Sequence, residues 1–364
     1  MDVATTAPRE RGWGLLVLAL LASLVVAAAP VWPGAAGLAA AAARLAVPVE
    51  QTLLLVIPAL AACAVVAWWH GGSAWLAVVW LAFAGWTIAQ PFAPGAASAA
   101  GGGYPSLARG WAVTLAAAFG LVAMVAPRRP FLGRALAALG LASVVAAGAL
   151  VLAPRGPDRF VRLVTAEYGR RVESSLSAWH RATAGSAWQE AAGRAPELAD
   201  RAARTAARLG ELPEPAARLV PALVALESLA ALALAWALFH RLSRTRLGPP
   251  LGALAGFRFN DQLIWGLVVG ATFVLLPSLA ALRPVGANLL LFFGALYALR
   301  GLGVLRWLAS EKVAAGGALA LALLVFVLGP VLVGGSLAAV ALVVGLADGW
   351  SDWRRRAGPG RPTA

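Results

Sequence analysis

Gly345-Leu-Ala-Asp-Gly-Trp-Ser-Asp-Trp-Arg-Arg-Arg356 closes the stretch of sequence that decides the fold, which begins at Pro221. This stretch is a series of apolar segments, and it carries most of the polar residues that hydrocarbon tolerates poorly. The whole chain is 61% hydrophobic and 13% charged, whereas a soluble domain usually has about a quarter charged residues. Because so few polar residues cannot cover a chain of 364 residues, the sequence predicts an all-α, polytopic transmembrane helical bundle.

Apolar segments of the length that crosses the hydrocarbon core recur along the chain. In the N-terminal part, residues 1–153, the predicted spans are Trp13–Ala29, Gln51–Trp69, Ala74–Phe92, Gly110–Ala126 and Arg134–Ala153. In the C-terminal part, residues 217–353, they are Ala217–His240, Gln262–Leu282, Val285–Trp307 and residues 313–347. The last run is too long for one crossing, so we expect two shorter helices joined by a tight turn in its middle, where Gly329-Pro330 and Gly334-Gly335 lie, and about ten spans in all. We expect Gly34–Val47 to be interfacial or re-entrant, and Phe92–Arg109 to be a loop.

Residues 154–216 differ from the rest because they are rich in charge, and we call them the insertion. Apolar residues recur there every three or four positions, which predicts one amphipathic helix: Phe160, Val164, Tyr168, Val172, Leu176 and Trp179. Acidic residues precede arginines by four positions, as in Glu167–Arg171 and Glu190–Arg194, and such pairs stabilise exposed helices. We predict a long helix, a short helix and a third helix from Pro196 to Leu209, outside the membrane or on its surface.

The formal net charge of +14 does not indicate nucleic-acid binding, because the arginines cluster at the ends of the apolar segments. Short basic loops mark the cytoplasmic side of membrane proteins. The basic residues that mark it here are Arg128, Arg129, Arg134, Arg241, Arg244, Arg246 and Arg354–Arg356. With ten spans, both termini, including the basic tail 354–364, are expected on the cytoplasmic side of a bacterial inner membrane. The insertion is expected on the opposite side.

Ionisable residues inside spans are costly and are therefore candidates for function. Glu227 and Arg300 are the two such residues on which the argument depends, and Asn288 and Tyr297 join them as candidate substrate-binding residues. One interpretation is a buried Glu227–Arg300 pair that lines a polar cavity. The other is that Arg300 extends to the interface, while Glu227 is protonated or bonded to a neighbouring hydroxyl.

Three residues near the end of the deciding stretch are candidate partner-docking residues: Asp348, Asp352 and Arg354. The alternative is structural, with the two aspartates ending the last helix and pairing with nearby arginines. Asn260 or Asp261 is expected to cap the helix that begins near Leu263. Gly266 and Gly270 are expected to mark close packing of that helix.

Motifs for catalysis and metal binding are missing from the sequence. Cys63 is the only cysteine, which excludes an intramolecular disulfide and cysteine-based metal sites. The three histidines lie far apart, and no HExxH, GxSxG or P-loop pattern occurs. We therefore predict no catalytic residue, no metal, no cofactor and a non-enzymatic function.

Several short motifs recur in order in the C-terminal part. They are Pro221 opening a span, Arg241-Leu-Ser-Arg244, Phe257-Arg-Phe259 ahead of Trp265, Asn288-Leu-Leu, Arg300-Gly-Leu-Gly303, Gly345-Leu-Ala-Asp348 and Asp352-Trp-Arg-Arg-Arg356. Through them the chain resembles the YybS-like family of predicted bacterial inner-membrane proteins, from about Glu214 to Arg356. The resemblance implies a polytopic membrane protein, similar in general look to the substrate-binding membrane subunits of energy-coupling-factor transporters, which have no ATPase motifs of their own.

Two functions from different classes follow. The first is a solute-binding or permease-like subunit, whose partners are the lipid bilayer and a small-molecule solute. The second is a non-transporting interaction protein, which recruits a membrane or cytoplasmic protein through the insertion or the C-terminal tail. A wet pocket at Glu227 favours the first function, and an apolar surface left open on the insertion favours the second.

Overall fold

The structure is a computed structural model that describes residues 49–90, 103–127, 129–194, 196–210, 213–243, 247–252, 256–308 and 330–351. Within these ranges the regular structure is all helical and contains no strand, which confirms the predicted fold class. The chain divides into two compact units. The first unit lies within Leu21–Pro250 and the second within Leu251–Ala364.

The first unit contains eight described helices. They are α1 (Val49–Trp69), α2 (Ala74–Ala89), α3 (Gly103–Val125), α4 (Phe131–Leu152), α5 (Gly156–Thr183), α6 (Ser186–Arg194), α7 (Pro196–Gly210) and α8 (Pro213–Leu242). The segments Gln51–Trp69, Gly103–Val125, Phe131–Leu152 and Ala217–Leu242 are long and apolar enough to cross a membrane. A fifth such segment, Pro277–Leu308, belongs to the second unit. The protein is therefore a multi-pass membrane protein.

Small side chains let the helices of the first unit approach closely. Alanines supply much of the buried surface where α1, α3, α4 and α8 meet, as is usual between membrane helices, where packing replaces the hydrophobic effect. Larger rings fill one position of this core, where Phe119, Phe131 and Trp236 contact one another edge-on or tilted.

The insertion forms the three predicted helices, α5, α6 and α7, and the third, predicted from Pro196 to Leu209, runs from Pro196 to Gly210. The apolar face of α5 does not remain open along its length. Val164 and Tyr168 are buried against Val220 of α8, with Tyr104 of α3 packed beside them. The long helix of the insertion therefore lies across the end of the bundle at which α1 and α3 begin.

Two expectations about the first unit are wrong. Residues 103–109 of the predicted loop Phe92–Arg109 are helical, because α3 starts at Gly103 with Pro105 in its first turn, a position that needs no backbone N–H donor; residues 92–102 lie outside the described residues. Pro221 does not open a span but lies inside α8, which begins at Pro213. Arg134, the first residue of the predicted span Arg134–Ala153, lies in the first turn of α4 and is fully buried.

The second unit contains α9 (Ile264–Leu275), α10 (Arg283–Leu308) and α11 (Pro330–Ser351). Helices α9 and α10 form an antiparallel hairpin, in which Gly270 lies against Gly286 and Gly266 against the Phe293 ring. This contact confirms the predicted close packing at the two glycines of α9. Asn260 caps the short 3₁₀ helix Asp261–Leu263 by accepting a hydrogen bond from the Gln262 N–H, 3.1 Å, as predicted.

The predicted span Gln262–Leu282 is not one helix. The α-helix stops at Leu275, Leu276 is extended, and Pro277–Leu282 forms the 3₁₀ turn of the hairpin. The reason is Pro277, which lacks a backbone N–H and disfavours the α conformation in the residue before it.

Other predicted elements lie outside the described residues. They are the span Trp13–Ala29, the segment Gly34–Val47 and the first part of residues 313–347. Helix α11 is described from Pro330 and continues through Gly334-Gly335, so the expected turn does not lie at that glycine pair. The total of ten spans stays a prediction.

Candidate functional site

The carboxylate of Glu227 lies in α8 and is held by two neutral side chains from the start of α1. Gln51 Nε2 donates a hydrogen bond to Glu227 Oε2, 2.7 Å, and Thr52 Oγ1 donates to Oε1, 3.2 Å. Gln51 and Thr52 are both buried. Within the described part of the chain, no cation lies at ion-pair distance from Glu227.

Further hydrogen bonds connect the Glu227 carboxylate to α5 through the side chain of Gln51. The Tyr104 hydroxyl of α3 donates to Gln51 Oε1, 2.9 Å, and Arg171 Nη2 donates to the same oxygen, 3.4 Å. The Arg171 guanidinium also lies over the Tyr104 ring, 5.1 Å from its centroid. Arg171 thus reaches Glu227 through the amide of Gln51 rather than directly. We call Gln51, Thr52, Tyr104, Arg171 and Glu227 the Glu227 cluster.

Glu167 of α5 holds Arg171 of this cluster in position. Arg171 Nε donates to Glu167 Oε1, 2.8 Å, and Arg170 forms a two-bond contact with the same carboxylate, 2.7 and 3.1 Å. Burial alone would raise the pKa of Glu167, but the hydrogen bonds and charges of the two arginines outweigh it, so this pKa is lowered. Burial raises the pKa of the neighbouring Tyr168 to about 12. At neutral pH, Glu167 is ionised and Tyr168 is neutral.

Ser228, which follows Glu227 on α8, connects α8 to α3. Ser228 is fully buried and accepts a hydrogen bond from Trp111 Nε1, 2.9 Å. Polar side chains of α1, α3, α5 and α8 therefore form one hydrogen-bonded cluster near one end of an otherwise apolar bundle. The arrangement presents the carboxyl group of Glu227 among amide, hydroxyl and aromatic groups, which suits the binding of a small polar molecule that carries a basic nitrogen.

The second candidate residue, Arg300, lies in the second unit and is buried in α10. Its Nε donates to Asp348 Oδ2 of α11, 2.9 Å, and its Nη1 donates to Asp261 Oδ1, 2.6 Å. The Asp348 side chain is fully buried, whereas 68% of the Asp261 side chain is exposed. The guanidinium also lies 5.5 Å from the centroid of the Phe259 ring.

Helices α10 and α11 cross in backbone contact next to this ion pair. A Cβ atom on Gly301 would lie 1.7 Å from the Ala341 carbonyl oxygen, and one on Gly345 would lie 1.9 Å from the Tyr297 carbonyl oxygen. Only glycine fits at either position. The motifs Arg300-Gly-Leu-Gly303 and Gly345-Leu-Ala-Asp348 therefore meet, with the glycines forming the crossing and the charged residues forming the ion pair.

The other predicted site residues have the following places. Tyr297 is buried in α10 and contacts the Phe259 ring edge-on, with centroids 5.0 Å apart. Asn288 Nδ2 donates to the Pro284 carbonyl oxygen of its own helix, 2.7 Å. Asp348 is buried against Arg300 of α10, whereas the structural alternative for this residue placed it at the interface with arginines near it in sequence. Asp352 and Arg354 lie outside the described residues, so the partner-docking role stays a prediction.

Glu227 and Arg300 each have hydrogen-bond partners within their own unit. The pair considered in the sequence analysis is therefore not required to explain either charge. What the sequence reasoning missed was the identity of the partners. Gln51 and Thr52 are two polar residues at the start of a strongly apolar span, which marks them as candidates for a polar contact. The sequence does not pair them with Glu227, because they lie 176 and 175 positions away from it.

An open groove lies on the insertion, between α5, α6 and α7. Its volume is about 520 Å³. The rings of Trp179 and Trp188 contact each other edge-on, 5.6 Å apart, and form one wall. Ala199, Ala203 and Ala206 of α7 belong to the lining as well. Within the described ranges, no group of three His, Cys, Asp or Glu side chains could hold a metal ion.

Comparison with known proteins adds one finding. Residues 194–349 match a family model. Its description is "Predicted membrane protein (DUF2232)", and the match covers less than half of the chain. It includes α8 and the three described helices of the second unit, the same region in which the sequence motifs occur. The chain is thus similar to this family of predicted membrane proteins, and no curated protein and no solved structure matches it.

Proposed function

We propose that the protein is a solute-binding or permease-like subunit of the YybS-like type, with no ATPase of its own, in a bacterial inner membrane. The observation that carries the proposal is the environment of Glu227. A carboxylate inside an apolar helix is expensive unless it is paired, and here its direct partners, Gln51 and Thr52, are neutral. A cationic group of a bound solute supplies the missing charge.

The same cluster indicates how such a solute is held. Glu227 contacts its positive charge, while Gln51 and Thr52 hold the carboxylate in place. Arg171 reaches over from α5 and interacts with Gln51 and Tyr104, so α5 forms the outer wall of the site. A binding role of this kind requires no catalytic residue.

Native mass spectrometry of the full chain, purified in mild detergent, tests this proposal. We expect a co-purifying small molecule with a basic nitrogen on the wild-type protein, and its loss in Glu227→Gln. The matched control is Glu190→Gln, which removes a carboxylate from an exposed pair with Arg194 on the insertion and should retain the molecule. A wild-type protein with no bound molecule above background, or equal occupancy in both variants, contradicts the proposal.

A second candidate is a non-transporting interaction protein, and the groove on the insertion favours it. The groove is open, and its Trp179–Trp188 wall is apolar, as expected of a surface that receives a protein side chain. Photo-crosslinking from position 203 in living cells tests this function. It predicts one reproducible adduct that Trp188→Ser abolishes and Glu227→Gln preserves, whereas the solute-binding function predicts no such adduct.

A further inference from the structure

Two described segments at one end of the first unit carry arginines and no acidic residue. The first is residues 129–134, which lead into the first turn of α4, and the second is residues 240–243 and 247–250, at and after the end of α8; we call this region the basic end. Its described arginines are Arg129, Arg134 and Arg241. The sequence contains no Asp or Glu between Glu50 and Asp158, or between Glu227 and Asp261. Neither segment can therefore supply an acidic side chain to neutralise the arginines of the other.

The structure brings the two segments together through Arg134. Its Nη1 donates to the Leu247 carbonyl oxygen, 2.9 Å, and its Nε donates to the Arg129 carbonyl oxygen, 2.9 Å. The guanidinium also lies over the Trp236 ring, 4.4 Å from the centroid. His240 and Trp236 in turn contact the carbonyl oxygens of Gly248 and Pro249.

Among the described residues, no acidic side chain pairs with Arg134. The side chain is fully buried, and its Nη2 has no hydrogen-bond partner among the described groups. Gly248 covers this nitrogen with a backbone of φ +127°, and a Cβ there would lie 2.5 Å from Nη2. A buried guanidinium that is bonded only to carbonyl oxygens and an aromatic face keeps its full positive charge, and buried charges are normally paired.

Exposed tryptophans place the basic end at the level of lipid headgroups. Ala62 and Val66 of α1 pack against Gly120 of α3, and α3 ends five residues later, so the end of α1 lies at the same end of the bundle. Three tryptophans around the α1–α2 turn are exposed: Trp68, Trp69 and Trp75. Tryptophan is enriched where the hydrocarbon meets the headgroups.

We propose that the basic end binds the headgroup of an anionic phospholipid. The exposed side chains of Arg129 and Arg241 contact the phosphate, and the bound phosphate supplies the negative charge that the buried Arg134 lacks. Basic pockets between membrane helices on the cytoplasmic side recognise such headgroups. This site lies at the opposite end of the first unit from the Glu227 cluster and does not depend on the proposed solute.

The test uses the full chain in nanodiscs of phosphatidylcholine, with or without phosphatidylglycerol or cardiolipin. We expect native mass spectrometry to show retained anionic lipid on the wild-type protein. The double variant Arg129→Gln/Arg241→Gln should lose roughly 30-fold in lipid affinity, about fivefold per arginine. The matched control is Arg159→Gln/Arg162→Gln on α5, which removes the same charge from exposed positions at the other end and should bind as wild type does.

Several outcomes overturn the proposal. One is equal lipid retention by the Arg129→Gln/Arg241→Gln variant and the wild type, and another is an equal loss in the α5 control. Displacement of the lipid by millimolar inorganic phosphate also contradicts it, because it shows a general anion site instead of a lipid site. Both double variants keep the buried Arg134, so the thermal unfolding temperature in phosphatidylcholine alone reports whether they fold.

Discussion

Asp348 and Asp261 lie at similar distances from the Arg300 guanidinium, but they contribute differently to the stability of the fold. Asp348 and Arg300 are both buried, so each compensates for the charge of the other in an apolar environment. Asp261 binds the same guanidinium, but most of its side chain is in contact with solvent. An exposed ion pair contributes about 0–1 kcal/mol, whereas breaking a buried pair costs about 3–5 kcal/mol because a bare charge is left behind.

We therefore expect Asp348→Asn to lower the free energy of unfolding by about 3–5 kcal/mol, and Asp261→Asn by no more than about 1 kcal/mol. Thermal and denaturant unfolding in detergent, followed by tryptophan fluorescence, measures both. The conservative pair of variants removes one charge in each case and leaves the shape unchanged. Equal destabilisation by the two would show that the burial of Asp348 has no energetic consequence.

Glu167 gives the protein a pH dependence whose sign follows from its lowered pKa. A carboxyl whose pKa is lower in the folded state stabilises the fold above its ordinary pKa of 4.5, and this contribution disappears as the pH falls through the folded value. Glu167→Gln should therefore destabilise the protein by about 1–3 kcal/mol at pH 7, and by progressively less as the pH falls from 4.5 through the lowered pKa of the folded state. Unfolding temperatures across this range measure the difference, and a constant difference would contradict the ion pairs with Arg170 and Arg171.

At the scale of elements, local sequence patterns predicted helices well. Periodicity predicted α5, and apolar length predicted α1, α4 and α10. The failures have local causes that compete with hydropathy. Pro277 ends α9 in the middle of an apolar run, and Pro105 starts α3 inside a segment whose glycines suggested a loop. Long-range partners were not predictable in this way, since nothing near Arg300 in sequence indicates Asp348.

The α10–α11 crossing makes a prediction at this scale. Gly301→Ala places a methyl group against the Ala341 carbonyl, so the two helices must separate, and we expect a loss of at least about 1–3 kcal/mol in unfolding free energy. Gly294→Ala on the same helix is the matched control, because a Cβ there meets nothing within 4 Å. It should be neutral or slightly stabilising, since alanine favours helix more than glycine does. A similar stability for both variants would exclude the backbone contact.

At the scale of the whole molecule, the first unit has chemically distinct ends. The Glu227 cluster and the insertion are at one end, and the acid-free basic end is at the other. The sequence predicted the side of the membrane on which each basic loop lies, and the contact of Arg134 with Leu247 explains why two such loops belong together. Composition could not predict that one of these arginines is buried.

Cysteine labelling tests this arrangement across the membrane. In a Cys63→Ala background, His70→Cys and Leu242→Cys lie at exposed positions of the basic end, and Ala184→Cys lies at an exposed position of the insertion. A membrane-impermeant maleimide should label position 184 in intact cells, and positions 70 and 242 only after permeabilisation. Labelling of 70 and 242 from different sides would contradict the first unit as described.

The α9–α10 hairpin has one further consequence, for the bilayer itself. Exposed Arg283 stands where the turn ends, and exposed Arg306 stands in the last turn of α10. The 23 positions between them give a helical rise of about 35 Å. A hydrocarbon layer of about 30 Å is shorter than this length, so α10 must tilt or hold both arginines among the headgroups. Membrane thickness thus becomes a variable to which the second unit responds.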